Sequence, residues 1–197
     1  EGCRQRTPPS AVAIARTLLA SGSEVDATAD FYGQPCATMS LLVSSSVPAE
    51  AGLQGELVEL FLEHGAALEG RGESWGSPLL TALVFGCPQA VAALVKRGAS
   101  TADVAIAAGL GRADELQRLL PSASPARRHL AMALAAQLGH ADALRVLLDA
   151  GEDPDRYNPK NAHAHATPLH QAALAGHLEV VELLLARGAR LDRLVHT

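Results

Sequence analysis

The chain has 197 residues, 48% of them hydrophobic but only 3% aromatic, with 19% charged and a net charge of −5. Length admits one domain or two small ones, and the acidic balance excludes a basic surface built to neutralise nucleic-acid phosphates. No stretch approaches the ~20 apolar residues of a membrane helix, no secretory signal is present, and the first residue is Glu1 rather than methionine, which reads as an excerpt or processed product. Cys3, Cys36 and Cys87 are too few and too scattered for a disulfide framework or a zinc-ligand pair. They read as buried or half-buried thiols in a reducing, cytoplasmic compartment.

Apolar residues at helical spacing predict helices near 11–20, 35–46, 54–64, 78–85, 88–97, 102–109, 112–120, 126–138, 141–149, 168–175 and 178–186. A closing phrase of paired apolar residues, two spacers and a glycine recurs among them. It stands at Leu18-Leu19-Ala20-Ser21-Gly22, Phe61-Leu62-Glu63-His64-Gly65 and Leu94-Val95-Lys96-Arg97-Gly98, and again at Leu147-Leu148-Asp149-Ala150-Gly151 and Leu184-Leu185-Ala186-Arg187-Gly188. A degenerate copy, Leu119-Leu120-Pro121-Ser122-Ala123, lacks the glycine. Such a glycine ends a helix in the left-handed conformation that L-residues resist. The polar stretch 43–52 reads as an extended loop between helices. Phe61, Phe85, Leu147 and Leu184 read as core.

A second phrase opens the first helix of each pair. Its clearest copy is Thr167-Pro168-Leu169-His170-Gln171-Ala172-Ala173, closed by Gly176-His177. Threonine caps the helix, and proline occupies the first turn, where a missing N–H costs nothing. Weaker copies begin at Ser77-Pro78 and run through Ala107-Ala108 to Gly111 and through Ala135-Ala136 to Gly139-His140.

Thr-Pro-Leu-His-x-Ala at a period near 33 residues resembles the ankyrin signature, most strongly over 167–189. The resemblance implies an all-α ankyrin-repeat solenoid of about six helix-turn-helix repeats with short or missing β-turn fingers. One domain, 1–197, divides into 1–26 (partial), 27–70 (with the long inter-helix loop), 71–99, 100–125 (lacking its finger), 126–155 and 156–197. By the same resemblance the function is non-catalytic protein–protein recognition through the fingers and concave face, with no cofactor, no nucleic acid and no membrane. A monomer or an end-capping homo-oligomer fits. A regulatory or targeting module of a larger enzyme is the alternative, as is a metal-binding stack centred on His163 and His165.

Catalytic signatures are absent from the sequence: there is no Gly-x-Ser-x-Gly, no phosphate-cradling glycine loop and no His-Glu-x-x-His. Asp153 and Asp155, and Glu179 and Glu182, read as solvated carboxylates. By resemblance His170 ties the Thr-Pro turn, and His140 and His177 take equivalent turn positions, so their structural role outweighs a metal role. His163-Ala164-His165 is different, because that spacing on an extended loop places both rings on one side. The scarce aromatics Phe31, Tyr32, Trp75 and Tyr157 fall on the fingers. Tyr32, Trp75 and His165 each stand two places before the Thr-Pro slot, counting Gln34-Pro35 as one such slot. With Arg71, Arg156 and His163 they form the candidate partner-binding strip, since aromatic and arginine side chains are the enriched anchors of interfaces.

Overall fold

The computed structural model describes residues 7–31, 34–71, 76–160 and 162–192, in two compact units, 1–100 and 101–197. In the first unit, α1 (Ala11–Ala20) is followed by the strands β1 (Thr28–Phe31) and β2 (Gln34–Ala37), then α2 (Thr38–Val43), α3 (Ser46–Glu50), α4 (Gln54–Glu63), α5 (Pro78–Val84) and α6 (Pro88–Lys96). Helix α2 packs on α4 and α5, while α4 packs on α1 and α6. The core there is built from Met39, Val43, Val58, Leu60, Leu79 and Leu94.

The second unit holds α7 (Val104–Gly109), α8 (Ala113–Leu119) with a 3-10 turn at Leu120–Ser122, α9 (Pro125–Gln137), α10 (Ala141–Asp149), α11 (Pro168–Ala175) and α12 (Leu178–Ala186). Helices α7, α9 and α11 pack side by side in one row, and α8, α10 and α12 in a second. A helix packed on both flanks must present small side chains, because close approach leaves no room for long ones. Accordingly every residue from His129 to Ala136 of α9 is buried, four of them alanines.

Local chemistry sets the boundaries. The closing glycines at 22, 65, 98, 151 and 188 all have φ between 87° and 90°. Ser77 Oγ accepts from the Leu80 N–H at 3.3 Å and Ser124 Oγ from the Arg127 N–H at 3.3 Å. Asp103 Oδ1 accepts from Ala105 at 2.8 Å and Ile106 at 3.2 Å. Prolines 78, 88, 125 and 168 occupy the first helical turns, as their fixed φ favours.

Three expectations need correction. Residues 34–37 are not helical. They form an antiparallel hairpin with 28–31, in register from Thr28↔Ala37 to Phe31↔Gln34, so this finger is a β-ribbon rather than a short or missing turn. Pro35 biases Gln34 towards extended backbone, and Thr38 closes the hairpin base by donating both its N–H (3.1 Å) and its hydroxyl (3.0 Å) to the Ala27 carbonyl. The stretch 43–52 is not wholly loop, since it contains α3, stapled by buried Gln54, whose Nε2 donates to the Leu42 and Ser45 carbonyls at 2.9 and 3.1 Å. Phe85 is 48% exposed rather than core, because it is the C-cap residue of α5, one place past the buried run Pro78–Val84. The short segment between α6 and α7 carries no strand, and the fourth helix pair has no hairpin finger among the described residues.

Candidate functional site

The hairpin shifts the aromatic arithmetic. Helix α2 starts at Thr38 with Ala37 as its cap, three residues later than the Gln34-Pro35 slot. Two places before that cap is Pro35, so Tyr32 is not the counterpart of Trp75 and His165. Tyr32 and Trp75 lie outside the described residues, as do the side-chain surroundings of Phe31, whose backbone ends β1.

Arg71 is tied into the fold. Its Nε donates to Asp26 Oδ2 at 3.0 Å, with the Asp26 side chain only 3% exposed and that of Arg71 60%. Asp26 also accepts from the Ala67 N–H, at 3.1 Å to Oδ2 and 3.3 Å to Oδ1. The same device recurs. Glu69 accepts from the Ser100 N–H at 2.7 Å and Asp155 from the Arg190 N–H at 2.8 Å. Each carboxylate stands four residues after a closing glycine, and each donor two residues after the next one. Asp26, Glu69 and Asp155 therefore clip one turn to the turn of the neighbouring repeat. Sequence reasoning took Asp155 for a solvated group and overlooked Asp26 and Glu69, although the glycine-plus-four spacing is visible in the chain.

Arg156, Tyr157, His163 and His165 share one loop between α10 and α11. The Asn158 N–H donates to the Ala166 carbonyl at 2.8 Å and closes the loop, and Ala162 and Ala166 are buried at its foot. His129, at the start of α9, donates from Nε2 to the Tyr157 carbonyl at 2.7 Å. His129 was not singled out in the sequence, because nothing local marks a histidine whose partner lies 28 residues ahead. Tyr157 is half-buried, whereas Arg156, His163 and His165 are exposed. The loop thus brings four of the eight strip residues together, while Arg71 belongs to the first unit.

Three further histidines serve the framework, His170 within its own helix cap and His140 and His177 between repeats. Thr167 donates its N–H (3.3 Å) and hydroxyl (2.7 Å) to His170 Nδ1. His140 Nε2 donates to the Gly109 carbonyl at 2.9 Å and His177 Nε2 to the Gln137 carbonyl at 3.0 Å. Each of those two rings lies flat against a glycine of the preceding turn. A Cβ on Gly111 would fall 2.6 Å from His140 Nδ1, and one on Gly139 2.6 Å from His177 Nδ1.

Burial lowers the pKa of His129, against the opposing hydrogen bond to Tyr157 and with a smaller push from Arg156. Burial also lowers that of His140, opposed by its bond to Gly109 and aided by His177. Both native values lie below the ordinary 6.5, so the unfolded chain takes up protons first as pH falls. Their contribution is fully present above pH 6.5 and is lost as pH drops towards the native values. Urea melts of the second unit between pH 7.5 and 5 are expected to show stability falling below about pH 6.5, with a flatter profile in His129→Gln/His140→Gln. An equally steep profile in the double variant would assign the effect elsewhere.

Among the described residues no three His, Cys, Asp or Glu side chains converge as a metal site, and no helix is long and apolar enough to cross a membrane. Cys36 and Cys87 are buried free thiols.

Residues 104–194 match a family model described as ankyrin repeats, in three copies. Among solved structures the chain is similar to the human ASB11 ankyrin repeat domain, at 23% identity and a TM-score of 0.44, over 94% of this chain and 86% of that one. A search of curated proteins found no match.

Proposed function

Since residues 104–194 match a family model of ankyrin repeats, we propose that this chain is an ankyrin-repeat protein and a non-catalytic interaction module, binding a protein partner through its fingers and inter-repeat loops. Ankyrin repeats generally mediate protein–protein interaction, and here they sit in a single repeat domain working in the reducing cytoplasm. The observation that carries the reading is the loop between α10 and α11. Its base is pinned by His129 and by the Asn158–Ala166 bond, yet it exposes Arg156, His163 and His165 on a tip that the helix stack does not need. An ordered loop of this kind binds with less loss of conformational freedom than a floppy one. In the first unit we propose a separate set of contacts, Arg71 with Phe31, Tyr32 and Trp75, of which Tyr32 and Trp75 lie outside the described residues.

The test starts with affinity capture from the native host and identification of the partner. Trp75→Ala and Arg156→Ala are then expected to weaken the complex, Trp75→Ala by ~2 kcal/mol or more, the hot-spot scale, with melting unchanged. Binding that survived the loss of Trp75, Arg156 and Tyr157 together would move the interface away from the fingers and loops.

A further inference from the structure

We propose that His163 and His165 together form a binding site for a late first-row divalent cation, Cu²⁺ ahead of Ni²⁺ and Zn²⁺. The inference does not depend on the protein-partner reading, since the metal alone tests it.

Of the histidines among the described residues, His129, His140 and His177 bond carbonyls through Nε2, while His64 and His170 commit Nδ1 to Leu60 and Thr167. His163 and His165 make no such bond, and both are exposed. Their ring nitrogens are therefore free to act as lone-pair donors.

The backbone holds the two rings close. His163 to Ala166 forms a tight turn in which the Ala166 N–H donates to the His163 carbonyl at 3.0 Å. His163 has φ 60°, the one positive value at a non-glycine position among the described residues. That conformation is uncommon outside glycine, histidine being among the residues that adopt it most readily, and such positions tend to gather at ligand clamps. Here it accompanies rings whose centroids are 6.1 Å apart and whose planes cross at 87°. The base of the loop is fixed by three bonds: Asn158 N–H to the Ala166 carbonyl at 2.8 Å, Ala162 N–H to the Pro159 carbonyl at 2.8 Å, and His129 to Tyr157 at 2.7 Å. The metal thus meets an ordered turn rather than a coil.

Metal–nitrogen bonds of about 2.0–2.1 Å place each ring centroid about 3.2 Å from the ion, so paired ligands have centroids about 4.5 Å apart at right angles and about 6.4 Å apart when opposed. The observed 6.1 Å lies within that span. The spacing is compatible with chelation once the rings, now edge to face, rotate so that one nitrogen of each faces the ion. Two neutral imidazoles suit copper, nickel and zinc, and the affinity order of divalent ions puts Cu²⁺ first. Water completes the coordination.

The experiment is calorimetric titration of CuCl₂, NiCl₂ and ZnCl₂ into the full chain in a non-chelating buffer, with copper-induced NMR broadening to locate the ion. One saturable site is expected, tightest for Cu²⁺, with broadening centred on residues 162–166. His163→Gln and His165→Gln should each weaken it at least about tenfold, the loss that removing even an outer-shell partner causes, while melting is unchanged and His64→Gln binds as wild type. Unaltered binding in the two variants would overturn the site. So would broadening centred elsewhere, or no site tighter than ~100 µM, about 5.5 kcal/mol of binding free energy.

Discussion

Gly139→Ala is expected to destabilise the second unit by ~2–4 kcal/mol, well beyond the ~1–2 kcal/mol that a left-handed conformation costs an L-residue. Gly139 has φ +80°, and an added Cβ would lie 2.6 Å from Nδ1, 2.8 Å from Cε1 and 2.9 Å from Cγ of His177. Three adjoining ring atoms are met, not one flexible tip. His177 cannot swing away without surrendering its bond to the Gln137 carbonyl, whose net worth is about 1 kcal/mol. Gly151 is the control: its φ is +88°, but nothing lies within 4 Å of its added Cβ. Gly151→Ala should therefore cost only the backbone term of roughly 1–2 kcal/mol. In a His177→Ala background the Gly139→Ala penalty should fall to that same level, a coupling visible in a double-mutant cycle. Equal melts for Gly139→Ala and Gly151→Ala would show that the ring wedge carries no energy.

Leu147→Ala and Leu184→Ala are expected to cost ~2–5 kcal/mol each, the range for truncating a buried leucine. Both side chains are fully buried, at 0% exposure. Their surroundings differ, and so should the two values. Leu147 lies in α10, which packs on α8, α9 and α12, whereas α12 packs on α10 and α11. The cavity at Leu147 is walled on more sides and has less freedom to collapse, so its truncation belongs at the upper end of the range. Denaturant melts of the two variants measure this. A loss below ~0.5 kcal/mol for either would mean the leucine is not a core residue.

Much of this was legible in the chain. The closing glycines, Thr167 with Pro168, and the leucine pairs mark helix ends within a few residues of where they stand, because capping and left-handed backbone are local properties. The alanine runs at 107–108 and 135–136 announced close-packed helices, and all four are buried. The candidate site was less legible. His163 and His165 stood out by spacing alone, and the structure places them on one tight turn. His129 did not stand out, since its meaning comes from a carbonyl 28 residues away.

What the sequence determined by itself was periodic or local: the repeat motif, most helix positions, the glycine closures and the scarcity of aromatics. What only the tertiary structure decided was non-local. The hairpin 28–37 takes residues 35–37 from the expected helix 35–46 because Ala27 and Thr38 close its base and Pro35 opposes helix immediately before it. Phe85 is solvent-exposed because the helix rows bury α5 only as far as Val84. Asp26, Glu69 and Asp155 become clips only when the next turn's N–H arrives beside them. His140 and His177 become wedges only because the stacked turn before each one presents a glycine with no side chain. For the clips and the wedges the deciding partner lies about thirty to forty residues away, and a one-dimensional pattern carries no distance between such groups until the repeats stack.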